Sequence, residues 1–337
     1  MPVIKQQLTI AARGIRAFLN LEAGVTRAEP VPGPQQESEK GLAARETSAR
    51  PAAQRGGHLR PENIVWIFGS GRSGSTWLSS MMGDIKGHAL WGEPWVGALF
   101  GNFYYTSGEG RYKNPQFILG RHRETWLRSI RNLVLDAAAV NFPNLSENQY
   151  LIIKEPNGSI GAPLLMEALA ESRMVLLIRD PRDVVASSID ARSEGGWHYE
   201  RNKGRTQRKQ RVPTKESIDF AQSRAQQYLR GMGNAKKAYD AHKGPKSLVR
   251  YEELRTDTLD TMKRMYMELG VSVNEEQLAR VVEEHSWENI PEEKKGDGKF
   301  YRKAKPGGWR DDLTPGQAEV IERVTAPLLK ELYPEKV

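Results

Sequence analysis

The chain has no cysteine, and that absence removes disulfide bonds, thiolate nucleophiles and cysteine-bound zinc together. Its six histidines are scattered without the spacing of metal ligands, so no metal is expected in its chemistry. It has no run of about eighteen consecutive apolar residues, the length a membrane-spanning helix needs, and no segment reads as a secretory signal. A cytoplasmic protein is therefore expected. Acidic residues are outnumbered, with 42 Asp and Glu against 50 Lys and Arg, giving a net charge of +8. That balance raises nucleic acid as a partner. The densest basic run, in residues 192–211, carries six cations after Gly195, but its aromatics are only Trp197 and Tyr199, both at one end. It has neither a recognition-helix nor a single-strand-binding pattern, so no nucleic-acid partner is expected. The run reads either as a solvated, mobile insertion or as a flap that attracts an anionic substrate or a membrane headgroup.

Large apolar side chains are nearly missing from Glu29 to Arg60, a stretch rich in Pro, Gly, Ala, Gln and charge. Such a composition reads as a flexible linker. Before it, Ile4, Leu8, Ala11, Ile15 and Phe18 recur at helical spacing beside Lys5, Arg13 and Arg16. That short amphipathic helix suits peripheral membrane contact, docking or organelle targeting, or is a frayed terminal helix. The division expected is a flexible extension over residues 1–60 and a folded domain over residues 61–337.

From residue 61 the pattern alternates between short apolar runs and helical periodicity, without internal repeat, which predicts an α/β fold. The expected form is a P-loop-type parallel sheet with helices on both faces. Strands are predicted at Asn63–Phe68, Tyr150–Ile153, Arg173–Ile178 and Ser247–Arg250. Helices are predicted at Ser75–Asp84, Arg123–Val140, Ala162–Glu171, Lys215–Ala241, Thr258–Leu269, Asn274–Glu284 and Pro315–Leu332, with another opening at Pro181.

The first strand runs into IVWIFGSGRSGSTWL, where Gly69, Gly71 and Gly74 leave room for an anion against main-chain N–H groups. The following helix start favours phosphate. A nucleotide triphosphatase loop, GxxxxGK followed by Ser or Thr, would begin at Gly69, yet Ser75 fills its lysine position. Arg72 is the cation inside the loop, with Ser73, Ser75 and Thr76 as hydroxyl donors. Trp77 offers a flat ring suited to stacking a purine. In VLLIRDPRDVVASSID, Arg179 leaves a strand end and Ser187 follows it in the next helix, so the two can meet a second phosphate.

Taken in order, GRSGSTW, RDPRDVVAS, YEEL from Tyr251 and YRKAKPGGWRDDLT from Tyr301 resemble the motifs of sulfotransferases that use 3′-phosphoadenosine-5′-phosphosulfate, PAPS. The resemblance covers roughly residues 63–333, and its style is closer to carbohydrate-type and bacterial members than to cytosolic aryl and steroid members. It implies that Arg72, Ser73, Gly74, Ser75 and Thr76 bind the 5′-phosphosulfate, that Trp77 flanks the adenine, and that Arg179 and Ser187 hold the 3′-phosphate. Tyr251 would touch the adenine or pack beneath it. Arg302, Lys303 and Trp309 match the basic and aromatic positions of a late RKGxxGxW loop that closes over the cofactor, but Ala304 replaces its first glycine.

The reaction implied is transfer of a sulfuryl group from PAPS to an acceptor hydroxyl or amine, without metal. Positioning and electrostatics would carry most of such catalysis. Arg72 and Lys154 are the candidates for neutralising charge on the moving group. For the general base the reading favours Glu93, with His88 and Glu155 as alternatives; Trp91 and Trp95 would give Glu93 an apolar wall of the kind that holds a proton on a carboxyl. Aromatic and apolar side chains from Trp91 to Tyr105 form either core or a pocket for a small-molecule, glycan or lipid acceptor. A P-loop nucleotide kinase and a catalytically silent nucleotide-binding module are the alternatives to this function.

Overall fold

A computed structural model of the chain describes residues 59–107, 122–203 and 212–334. The predicted N-terminal helix, the linker up to residue 58 and the basic residues 204–211 lie outside the described residues.

Five strands form one parallel sheet: β1 (Ile64–Phe68), β2 (His88–Gly92), β3 (Tyr150–Lys154), β4 (Arg173–Ile178) and β5 (Lys246–Arg250), in the order β2-β3-β1-β4-β5. A parallel sheet covered on both faces needs strands apolar on both sides, and IVWIF in β1 is buried at every position. Alternate side chains serve the two faces. Ile64, Trp66 and Phe68 join the core cluster on one face, while Val65 and Ile67 join that on the other.

Helices α1 (Ser75–Gly83), α2 (Val96–Ser107), α3 (Arg123–Asn141), α4 (Ala162–Ala168), α5 (Pro181–Arg192) and α6 (Trp197–Asn202) lead into the long α7 (Ile218–Ala241). After β5 come α8 (Tyr251–Thr256), α9 (Thr258–Glu268), α10 (Glu275–Glu284), the single turn α11 (Trp309–Asp312) and α12 (Pro315–Leu332). Among the described residues, no helix is long and apolar enough to cross a membrane.

Local chemistry sets the helix starts. Asp180 accepts from the Arg182 amide at 2.9 Å and Pro181 follows it, which opens α5. Ser217 accepts from the Phe220 amide, so α7 begins at Ile218 rather than at Lys215. Thr314 and Gln317 form a reciprocal capping box at α12.

Elements outside the predicted pattern are β2, α2 and the short helices α6, α8 and α11, and the first two bear on the site. Residues 88–92 form the edge strand β2, only half-buried, so its short HALWG sequence lacks the signature of a central strand. Residues 96–107 form α2, whose Gly97 and Gly101 lie against a 3₁₀ turn over Pro156–Gly161. A Cβ at Gly97 would stand 2.2 Å from the Gly158 carbonyl oxygen, and one at Gly101 would stand 2.5 Å from the Gly161 nitrogen. Backbone therefore packs on backbone, and glycine is required there rather than breaking the helix. The part of the basic run that is described, residues 192–203, is the end of α5, a turn and α6.

The loops after β1, β2, β3 and β4 all leave the carboxyl edge of the sheet. The chain's connections run outward in opposite directions from the β1 and β4 pair, and such a crevice is where open α/β sheets bind ligands.

Candidate active site

A cavity of about 840 Å³ opens over that edge. Lys154 ends β3, flanked by β1 and β2, and two neighbours reach it. Its Nζ stands 2.7 Å from Glu93 Oε1 and donates to Thr76 Oγ1 at 3.1 Å. The register explains the first pairing: Gly92 is the strand partner of Lys154, and the next amide, that of Glu93, donates to the Lys154 carbonyl at 2.8 Å. Asn157 Nδ2 holds the other carboxylate oxygen at 2.8 Å. An ammonium and an amide therefore surround Glu93, not a tryptophan wall. Trp91 turns its ring edge toward Phe142 in the core, and Trp95 lines the cavity at 56% exposure.

The two alternative bases lie elsewhere. His88 begins β2, at the opposite end of the sheet; it stacks on Tyr150, and burial lowers its pKa. Glu155 is 1% exposed and faces the start of α2, accepting from the Trp95 and Gly97 amides at 3.1 and 3.3 Å. Burial, opposed by these amides and reinforced by the negative charge of Glu93, raises the Glu155 pKa to about 7.

The loop after β1 bends around Arg72 and Gly74, which have φ of 72° and 91°. A Cβ at Gly74 would meet the Tyr251 ring at 2.5 Å, so the tyrosine floors the cradle and glycine is required above it. Tyr251 also lies under Arg179, 4.1 Å from its guanidinium carbon, and its ring is edge-on to Trp77 at 6.4 Å. Arg179 donates to the Arg72 carbonyl at 2.9 Å, while its own carbonyl accepts from the buried Tyr228 hydroxyl at 2.8 Å. Arg72 Nε donates to Ser187 Oγ at 3.0 Å, and its Nη2 donates to the Phe300 carbonyl at 2.9 Å. Burial, together with the charges of Arg179, Arg302 and Arg192, lowers the Arg72 pKa to about 10.

Ser75, Thr76 and Trp77 line the cavity. Ser73 does not: fully buried, it turns its hydroxyl onto the Ser70 carbonyl at 2.7 Å and braces the loop. Arg302 and Lys303 reach the cavity from the late segment, both anchored at 2.7 Å on Asp312. Ala304 keeps a glycine-like φ of 47°, so the loop retains the left-handed bend despite the substitution. Arg72, Glu93, Trp95 and Ala304 are the non-glycine residues with positive φ among those described, and all four line this cavity. Backbone strain of this kind collects at functional sites.

The sequence reading passed over two aspartates that shape the site. Buried Asp183 accepts from the Gly307 and Trp309 amides at 2.7 and 2.9 Å, and Asp190 accepts from the Gly298 amide at 3.0 Å. These carboxylates tie the late segment to α5. Asp183 lies inside the recognised RDPRD stretch, but its partners are 124 and 126 residues away, beyond the reach of any local pattern.

The family model described as "Sulfotransferase domain" matches residues 62–333. The chain belongs to the sulfotransferase family. Solved structures similar to this sulfotransferase match it at low sequence identity. Mouse sulfotransferase SULT7A1 complexed with PAP is 15% identical, with a TM-score of 0.50 over 83% of this chain and 91% of that one. Sulfotransferase STF9 from Mycobacterium avium is 13% identical, with a TM-score of 0.47 over 81% and 77% of the two chains. Retinol dehydratase in complex with androsterone and inactive cofactor PAP is 19% identical, with a TM-score of 0.41 over 81% and 82%. No curated protein matches the chain in sequence. Sulfuryl transfer is thus the general reaction of this enzyme.

Proposed function

We propose that the donor is PAPS and that the enzyme transfers its sulfuryl group to an acceptor hydroxyl or amine by in-line displacement. The fit rests on polar atoms that the fold leaves unsatisfied. Arg179 Nε and Ser70 Oγ are buried without a hydrogen-bond partner, and both residues line the cradle. Buried polar atoms are costly unless a partner arrives, and a ligand phosphate is such a partner. The Tyr251 ring fills the space of a Cβ at Gly74 and so pins the glycine-rich loop, whose main-chain amides suit an anion. Arg72, Ser75 and Thr76 would hold the phosphosulfate end, Arg179 and Ser187 the 3′-phosphate, Trp77 and Tyr251 the adenine, and Arg302 with Lys303 would cover the cofactor.

When bound, PAPS supplies a sulfuryl group joined to a phosphate that leaves as adenosine 3′,5′-bisphosphate, PAP. The chain's own groups supply the rest. Glu93 takes the proton from the acceptor hydroxyl or amine. As it does so its hold on Lys154 weakens, and the ammonium is released toward negative charge near Thr76. Arg72, held on Ser187 and the Phe300 carbonyl in this structure, would turn from them to meet charge on the moving group.

The observation that carries the reading is Lys154, poised between the candidate base and the phosphate loop. Turnover of labelled PAPS against a panel of alcohols, amines and glycans tests it with Glu93→Gln. Turnover should fall about 10²-fold or more while PAP affinity is nearly kept, as expected for a lost general base. Unchanged turnover would place the base elsewhere.

A further inference from the structure

The cavity carries more positive charge than its donor-binding residues account for. Among the described residues, Glu93 is the only carboxylate on its wall, against a large excess of Lys and Arg. Several of these cations are neutralised nearby: Arg302 and Lys303 share Asp312, and Lys305 meets Asp311 at 3.2 Å. A second group is not. Arg192 ends α5, Arg201 lies on α6 and Arg224 on α7, and none of the three guanidiniums has a hydrogen-bond or ion-pair partner among the described residues. Arg224 Nε is buried outright, with only the Phe220 ring beneath its guanidinium at 5.4 Å.

These side chains converge. The Trp197 ring is shared by Arg72 and Arg201, each guanidinium 5.5 Å from its centroid, which joins this wall to the phosphate loop. His198, the next residue on α6, feels Arg192, Arg201, Arg224 and Arg72, and these charges add to burial in lowering its pKa. Arg192 itself is pushed down to about 10, first by burial and then by Arg224. Holding several cations together in a half-buried wall with no acid paired to them costs folding free energy. An anionic ligand would offset that cost.

We propose that this wall is an oxyanion site for the acceptor: Arg192, Arg201 and Arg224, with His198 among them, receive a phosphate, sulfate or carboxylate group carried by the molecule to be sulfated. The assignment rests on the donor reading above, because it takes the remainder of the cavity to be filled by PAPS. The anion would fix the acceptor at its far end and leave its hydroxyl or amine toward Glu93 and Lys154. A neutral acceptor would leave the arginines unpaired.

The test uses the full chain and begins with PAP binding measured by calorimetry. The PAP-saturated protein is then titrated at low ionic strength with phenyl phosphate, phenyl sulfate and benzoate, with phenol as the neutral control; the three anions tell the oxyanion classes apart. At least one should bind more tightly than phenol. The double variant Arg192→Gln/Arg224→Gln should weaken that anion about tenfold or more, as loss of charge-assisted hydrogen bonds does. Its PAP affinity should stay within about threefold, as for sites that do not share partners. Arg192→Lys/Arg224→Lys, which keeps the charge, should restore part of the anion binding and guards against misfolding as the cause.

The proposal is overturned if PAP binds but no aryl anion binds better than phenol, or if the glutamine variant binds the anion as tightly as wild type. Loss of PAP affinity with anion binding unchanged would also overturn it, by assigning the arginines to the donor. Failure of wild type to bind PAP removes the donor reading and this assignment with it.

Discussion

Glu155→Gln separates the structural carboxylate of this site from the proposed catalytic one. Glu155 is 1% exposed and its pKa is raised to about 7 from an ordinary value of 4.5. Because its folded value lies above its unfolded value, its contribution to stability is fully present below about pH 4.5 and is lost as pH rises through about 7. Each pKa unit corresponds to about 1.4 kcal/mol, so the shift amounts to about 3 kcal/mol, of which about 2 to 3 kcal/mol disappears between about pH 5 and pH 8. Glutamine removes the titration and keeps the shape. It also sets an amide N–H₂ against the Trp95 or Gly97 amide, a pH-independent penalty of about 1 to 3 kcal/mol for an unsatisfied buried group. The informative quantity is therefore the slope. Urea unfolding of both proteins at a series of pH values should show the wild type losing stability with rising pH relative to Glu155→Gln by that 2 to 3 kcal/mol. Parallel curves would refute the argument and show that the α2 amides hold Glu155 ionised at no net cost.

Two further substitutions probe the cradle and its late cover. Gly74→Ala places a Cβ 2.5 Å from the Tyr251 ring at a φ of 91°, so PAP affinity measured by calorimetry should fall at least about tenfold, with left-handed strain of about 1 to 2 kcal/mol added to the clash. Near-normal affinity would mean that the loop is not held by the tyrosine. Asp183→Ala releases the Gly307 and Trp309 amides, and proteolysis should then cut the segment around residues 300–308 faster while PAP dissociates more quickly. An unchanged digestion pattern would show that Asp183 does not clasp the segment.

Much of this architecture can be read from local sequence. The strands β1, β3 and β4 are short apolar runs because a doubly covered parallel sheet buries both their faces, and the glycine-rich turn after β1 announces its backbone geometry directly. The edge strand β2 is half-buried and gives no such run. Helix α2 was hidden by its glycines, which ordinarily read as breakers and here meet the backbone of residues 156–161. At the site, residue types were legible but orientations were not. Ser73 belongs to the loop sequence yet turns inward, Trp91 points to the core, and the environment of Glu93 depends on strand register with Lys154. Asp183 and Asp190 become visible only when segments more than a hundred residues apart are brought together, and the arginine wall only when α5, α6 and α7 converge.

The central claim is that the cavity is a PAPS donor site, and ligand-induced stabilisation tests it most directly. PAP at about a hundredfold excess over its dissociation constant should stabilise the protein by about 2.7 kcal/mol, which for a domain of this size raises the melting temperature by about 5 °C or more. ATP or GTP with magnesium should give a far smaller shift at the same concentration. A larger shift with ATP and magnesium, or none with PAP, would contradict the account.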